Sequence, residues 1–409
     1  MFLLGKNFLQ LSARPLFFSS VLILLLFIAI LSETNVLTDS PIDECARKQL
    51  EERQTCLARE IEERAQNGRI TEAFELLAEA YAKDREFARD CHGMAHEIGA
   101  DAYGHFRATG DIEISPLASY CGYGFYHGFM EKLIAEEGSA AGGKEFCERI
   151  GERLWEETSD AEGACWHGIG HSAVDGSYPA EWGDAQRMVA RGLSLCEDIL
   201  GQSQLGVKDF GSLYRCTTGS YNSVEILSQD SRYKLNALAR DPFGFCETQK
   251  ESYRPGCYTN MLPAMLRLVH NDWPEIVPAI DALEDFWGGY AMRASIVTDL
   301  AHEHIRIFLH EEDLGGASGL ERCRSLAERY LLPCIEGLAG GYMKYGEPKK
   351  EYGPALAFCS SPALREDERE TCFGHILPRL RNFYPAAQAE TVCAIAPKEF
   401  AVRYCTFLP

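Results

Sequence analysis

Sixteen cysteines, none arranged as Cys-x-x-Cys, constrain what this chain can fold into more than any other feature. The missing motif argues against zinc ribbons, iron–sulfur clusters, thioredoxin-like redox pairs and c-type haem attachment. An even number of dispersed cysteines reads as a disulfide framework formed outside the reducing cytoplasm. Spacing pairs neighbours: Cys91 with Cys121, Cys147 with Cys165, Cys196 with Cys216, Cys246 with Cys257, Cys323 with Cys334, Cys359 with Cys372 and Cys393 with Cys405. Cys45 and Cys56 are harder to place. On one continuous helix they would lie about 16 Å apart along the axis, beyond disulfide reach. Either the helix breaks between them or each bonds elsewhere.

The second cysteine of a pair opens a helix, and glycine follows three residues later at Gly124, Gly168, Gly219 and Gly337. A glycine inside a helix costs roughly 0.5–1 kcal/mol relative to alanine. Its recurrence at one offset predicts that a neighbouring backbone comes close there. Successive second cysteines are 33 to 51 residues apart, except for a gap of 77 between Cys257 and Cys334. That gap is expected to hold a cysteine-free unit around FWGGYAMRASIVTDLAHEHI. Periods of this kind suggest stacked helical hairpins, and long Val/Ile/Thr alternation is absent. The expected fold is all-α: disulfide-stapled helical-hairpin repeats forming an α/α solenoid or toroid, preceded by one N-terminal transmembrane helix.

That transmembrane helix is expected in the apolar run Pro15–Leu31, with Lys6 and Arg14 before it and Glu33 and Asp39 after it. The flanking charges place the N-terminus in the cytoplasm and the remainder outside. The run is at the short limit for a membrane span, and a cleaved signal peptide is the competing reading. The expected organisation is a cytoplasmic N-terminus over 1–14, a signal anchor over 15–32, a linker with charged capping helices over 33–89, and an extracytoplasmic repeat domain over 90–409. The formal net charge of −21 argues against nucleic acid as a partner. The expected partners are the membrane, through the N-terminal helix, and a protein or peptide.

Histidines give the candidate chemistry. CHGMAHEIG carries His92 and His96, CGYGFYHGFME carries His127 and Glu131, and CWHGIGHSAVD carries His167, His171 and Asp175. An i,i+4 pair on a helix projects from one face about 6 Å apart, as metal-ligand pairs require. If the three helices face one another, His92, His96, His127, Glu131, His167 and His171 form a metal-ligand set. The cofactor is then a divalent transition metal: zinc, iron, copper or manganese. Glu131 or Asp175 would complete the shell or act as general base on metal-bound water. A histidine beside a crowded helix start can also be purely structural, bonded to a neighbouring carbonyl. A second, weaker grouping is DLAHEHIRIFLHEED, with His302, Glu303, His304, Arg306 and His310. It lacks metalloprotease spacing, and an amphipathic face explains it more simply.

The functional expectation is a membrane-anchored extracytoplasmic protein with a histidine-rich metal site, serving as a metal-dependent hydrolase or oxidoreductase. The alternative is a non-enzymatic helical-repeat scaffold for a protein or peptide partner. Haem held by paired histidines is a third reading.

Overall fold

The computed structural model describes residues 40–405, apart from 159, 202–210, 288–289 and 310–315. The proposed anchor and His310 lie outside the described residues. No helix among the described residues is long and apolar enough to cross a membrane.

The first described segment resolves the Cys45 and Cys56 problem. Ser40 caps a short helix, Pro41–Ala46, accepting a hydrogen bond from the Ile42 amide, and Pro41 starts it without wasting a donor. The helix stops at Arg47, and a new one runs from Leu50 to Gln66. The break folds the two cysteines to a Cα–Cα distance of 5.5 Å, and they bond. The other seven disulfides join the pairs expected from spacing, and no described cysteine is free. The charged helices here are not a free stalk. Cys56, Leu57 and Ile61 of the second helix are buried, as are Ile70, Phe74 and Leu77 of Ile70–Lys83.

The architecture is all-helical. Among the described residues the only extended pairing is a two-residue hairpin, Phe286–Trp287 against Tyr290–Ala291. Eight long helices form the inner frame: α1 (Cys91–Thr109), α2 (Tyr120–Glu137), α3 (Ala161–Ser172), α4 (Ser212–Leu227), α5 (Arg254–Leu268), α6 (Met292–Phe308), α7 (Glu328–Tyr345) and α8 (Glu366–Ile376). Each packs on the next in chain order, and α7 also touches α2. The cysteine-free unit expected in the long gap is α6, wedged between α5 and α7.

Glycine sets how closely these helices pack. A Cβ at Gly219 would sit 1.9 Å from the His167 carbonyl oxygen, and one at Gly337 would sit 2.1 Å from that of Thr298. Cβ atoms at Gly124 and Gly168 would lie 2.5 and 2.6 Å from the carbonyl oxygens of His92 and Tyr126. All four offset glycines therefore mark backbone contact between helices. The apolar core forms two clusters, one drawn from Ile42 to Cys216 and one from Val174 to Cys405. Hydrogen bonds tie early segments to late ones. Tyr81 donates to the Tyr345 carbonyl at 2.9 Å. Tyr123 and Thr158 both donate to the Asn382 carbonyl, at 3.0 and 2.8 Å.

Candidate metal centre

Three helices do face one another, although only α1 does so near its start. His127 and Glu131 lie mid-helix on α2, and His171 is in the last turn of α3. α1 presents His92 and His96, α2 presents His127 and Glu131, and α3 presents His167 and His171. Ring centroids lie 5.3 Å apart for His92 and His127, 5.2 Å for His96 and His127, and 5.8 Å for His96 and His171. His127 stacks on His171 at 4.7 Å and on His167 at 5.1 Å. Small residues permit this crowding: a Cβ at Gly128 would lie 1.9 Å from the His96 carbonyl oxygen.

Two overlapping sets of ligand atoms result. One atom from each of His92, His96 and His127 lie within 4.8 Å of one another, as do atoms from His96, Glu131 and His171. His96 belongs to both sets. His171 Nδ1 lies 3.0 Å from Glu131 Oε1, yet without the alignment of a hydrogen bond. His96 Nδ1 lies 3.6 Å from the other carboxylate oxygen. His127 is 7% exposed, and its Nδ1 has no hydrogen-bond partner. Leaving a buried polar atom unpaired costs about 1–3 kcal/mol, a cost a bound cation removes.

The backbone is bent to build one wall. Cys121, Gly122 and Tyr123 all take left-handed conformations, with φ of 54°, 68° and 64°. Two of the three are not glycine, and each such residue costs roughly 1–2 kcal/mol. The bend turns the Cys121 carbonyl to within 2.8 Å of His92 Nδ1. That contact favours the tautomer with the proton on Nδ1, which leaves Nε2 as the free ligand atom.

Burial pushes four of the imidazoles, His92, His96, His127 and His167, toward their neutral form. Burial lowers His96 most, His171 and His92 add to the effect against Glu131, and its pKa falls to about 4. His127 lies well below its ordinary value through burial and then the charges of His171 and His167. His167 is likewise pushed well down by burial, then by Arg215. His92 is also lowered by burial, although solvent reaches its side chain. Both hold when a residue lines a recess, wetted from one side and surrounded by protein on the others. Burial tends to raise the Glu131 carboxyl, but His171, His96 and Lys132 outweigh it and hold it below its ordinary value. Neutral imidazoles and an ionised carboxylate are the metal-binding forms.

Two sequence expectations change. Asp175 was placed one turn beyond His171 on the same helix face, but α3 ends at Ser172 and Gly176 turns the chain with φ of 72°. Asp175 is exposed, and its Oδ1 accepts a hydrogen bond from the Ser177 amide at 2.9 Å, outside the cluster. His167 joins the cluster by stacking, but its Nδ1 is 2.9 Å from Thr218 Oγ1 and it belongs to neither ligand set. Thr218 and Lys344 were not anticipated, and Arg306 only as part of the weaker DLAHEHIRIFLHEED grouping. Lys344 and Arg306, from α7 and α6, contribute positive charge at His92. Nothing local in the sequence links them to the first three helices. The aromatic residues Tyr103, Tyr126, Trp166 and Tyr221 are buried and fill the packing between helices.

The fold and site thus define a disulfide-stapled, all-helical protein with a histidine–carboxylate cluster able to hold a metal ion. No family model, curated protein or solved structure matches the chain.

Proposed function

We propose that this chain is an extracytoplasmic metalloprotein. Its centre at His92, His96, His127, Glu131 and His171 binds a divalent transition metal and supports hydrolysis. One observation carries the reading: two ligand sets from three separate helices converge around His96. Neutral nitrogen ligands with one carboxylate suit zinc, iron, copper or manganese better than magnesium or calcium, which prefer oxygen. A metal in such a site lowers the pKa of bound water. Glu131 is 40% exposed and lies between His96 and His171, which supports a role for the carboxylate oxygen not bound to the metal in accepting the proton.

Eight disulfides support an oxidising compartment. The charge flanks of 15–32 support anchoring with the C-terminal part outside the cytoplasm. The chain-ordered packing of α1 to α8, with α7 returning to α2, supports repeated helical hairpins closing toward a ring.

Metal analysis of the purified full chain tests the reading. Bound zinc, iron, copper or manganese is expected in the wild type. His127→Ala should lower it at least tenfold in affinity with the helical circular dichroism unchanged. A chain that binds none of these metals is the non-enzymatic scaffold instead.

A further inference from the structure

The repeat frame that builds the first centre recurs at α6 and α7. Gly124 and Gly128 of α2 rest on the carbonyls of His92 and His96 in α1, and Gly337 of α7 rests on that of Thr298 in α6. His302 follows Thr298 by four residues, as His96 follows His92. His302 therefore holds the register of His96. The α7 residue at the place of His127, six after the cysteine, is Gly340.

Two imidazoles, His302 from α6 and His375 from α8, close over Gly340. A Cβ at Gly340 would lie 2.5 Å from His302 Nε2 and 3.1 Å from His375 Nε2, so both nitrogens lie against the same face of Gly340. Each ring has a carboxylate on its other side. Asp299 Oδ1 is 3.5 Å from His302 Nδ1, and Glu336 Oε2 is 3.6 Å from His375 Nδ1. A carboxylate charge on the Nδ1 side, though beyond hydrogen-bond alignment at His375, favours a proton there over one on Nε2, the charge arrangement found behind metal-bound histidines. His302 Nε2 is buried and has no hydrogen-bond partner. Two imidazole nitrogens beside one glycine, one of them buried and unpartnered, can share a cation.

The geometry points to a second, separate metal site, in which His302 Nε2 and His375 Nε2 hold a divalent transition metal over Gly340, with Asp299 and Glu336 orienting the rings. Only two protein nitrogens converge, so the remaining positions belong to water or to an incoming ligand. The site is accordingly more open and more readily exchanged than the first centre. It goes beyond the proposed hydrolytic centre and does not depend on it.

Zinc titration of the chelator-treated full chain tests this. Wild type should show two classes of bound zinc. His127→Ala should remove the first and leave the second. His302→Gln and His375→Gln should each remove the second and leave the first. Glu336→Gln alters a side chain that is 42% exposed and is not itself a ligand. It should weaken the second class roughly tenfold, as loss of an orienting carboxylate does. It also serves should a histidine variant fail to fold. The inference is overturned if the zinc retained by His127→Ala binds with unchanged stoichiometry and affinity after His302→Gln or, where that variant does not fold, after Glu336→Gln. It is equally overturned if His127→Ala retains no zinc.

Discussion

Within the first centre, His127 and Glu131 have separable effects. His127→Ala removes a buried, unpartnered nitrogen and should reduce metal affinity with little loss of stability. Glu131→Gln keeps the shape but removes the charge shared by His96 and His171. It should weaken binding and abolish any hydrolytic turnover, as read by metal titration beside an activity screen with the metal present. Glu351 is a different kind of residue. It is 7% exposed and accepts a hydrogen bond from Tyr384 at 2.7 Å. Burial raises its carboxyl from the ordinary 4.5 to about 7, against the Tyr384 bond. Glu347, Tyr81 and Tyr120 are the other titratable groups that interact with it. The folded state therefore keeps a proton that the unfolded chain has already lost. The stability from this group is complete below pH 4.5 and is lost as pH rises through 7. The difference is on the order of 3 kcal/mol. Glu351→Gln should flatten the fall in melting temperature between pH 5 and 8; an unchanged slope would show that another group is responsible.

At the scale of helices, glycines at backbone contacts are the most exacting positions: the offset glycines such as Gly219, and also Gly128, which the offset did not reveal. Gly128→Ala would drive a methyl group into the His96 carbonyl, and Gly219→Ala into that of His167. Overpacking of this kind costs roughly 1–3 kcal/mol. Gly128→Ala should also weaken metal binding, because it parts α1 from α2; Gly104→Ala, with open space around it, should do neither. Chemical denaturation with parallel metal titration separates the two effects. The contacts at the offset glycines were legible in the sequence because close packing demands the same residue each time the unit recurs. The His92/His96 and His127/Glu131 pairs were legible for a similar reason, since helical spacing alone puts each pair on one face. Asp175 was misplaced because the spacing rule holds only while the helix continues, and α3 stops three residues short of it. His302 stood out as one of several polar residues on a helix, and its relation to His375 stayed hidden. That relation depends on α6 and α8 meeting over α7, which no local pattern records. Lys344 was missed for the same reason.

Across the whole molecule, hydrogen bonds from Tyr81, Tyr123 and Thr158 to late carbonyls join segments more than two hundred residues apart. Tyr123→Phe removes one of them and should cost about 1 kcal/mol. A larger change, with loss of metal, would mean that the contact holds the left-handed turn in place. Removing the Cys196–Cys216 link by paired alanine substitution should cost about 3 kcal/mol, the chain-entropy value for a loop of this size. The eight disulfides also share a simple arrangement: each joins cysteines adjacent in the chain, and none encloses another. The covalent structure is therefore a string of separate rings, not a mesh. A protease nick between Cys196 and Cys216 falls inside a ring, and the two fragments migrate as one band until the sample is reduced. A nick between Cys257 and Cys323 falls on the string between rings, and the fragments part at once. A chain so heavily crosslinked is nonetheless only as continuous, at those joints, as its single peptide backbone.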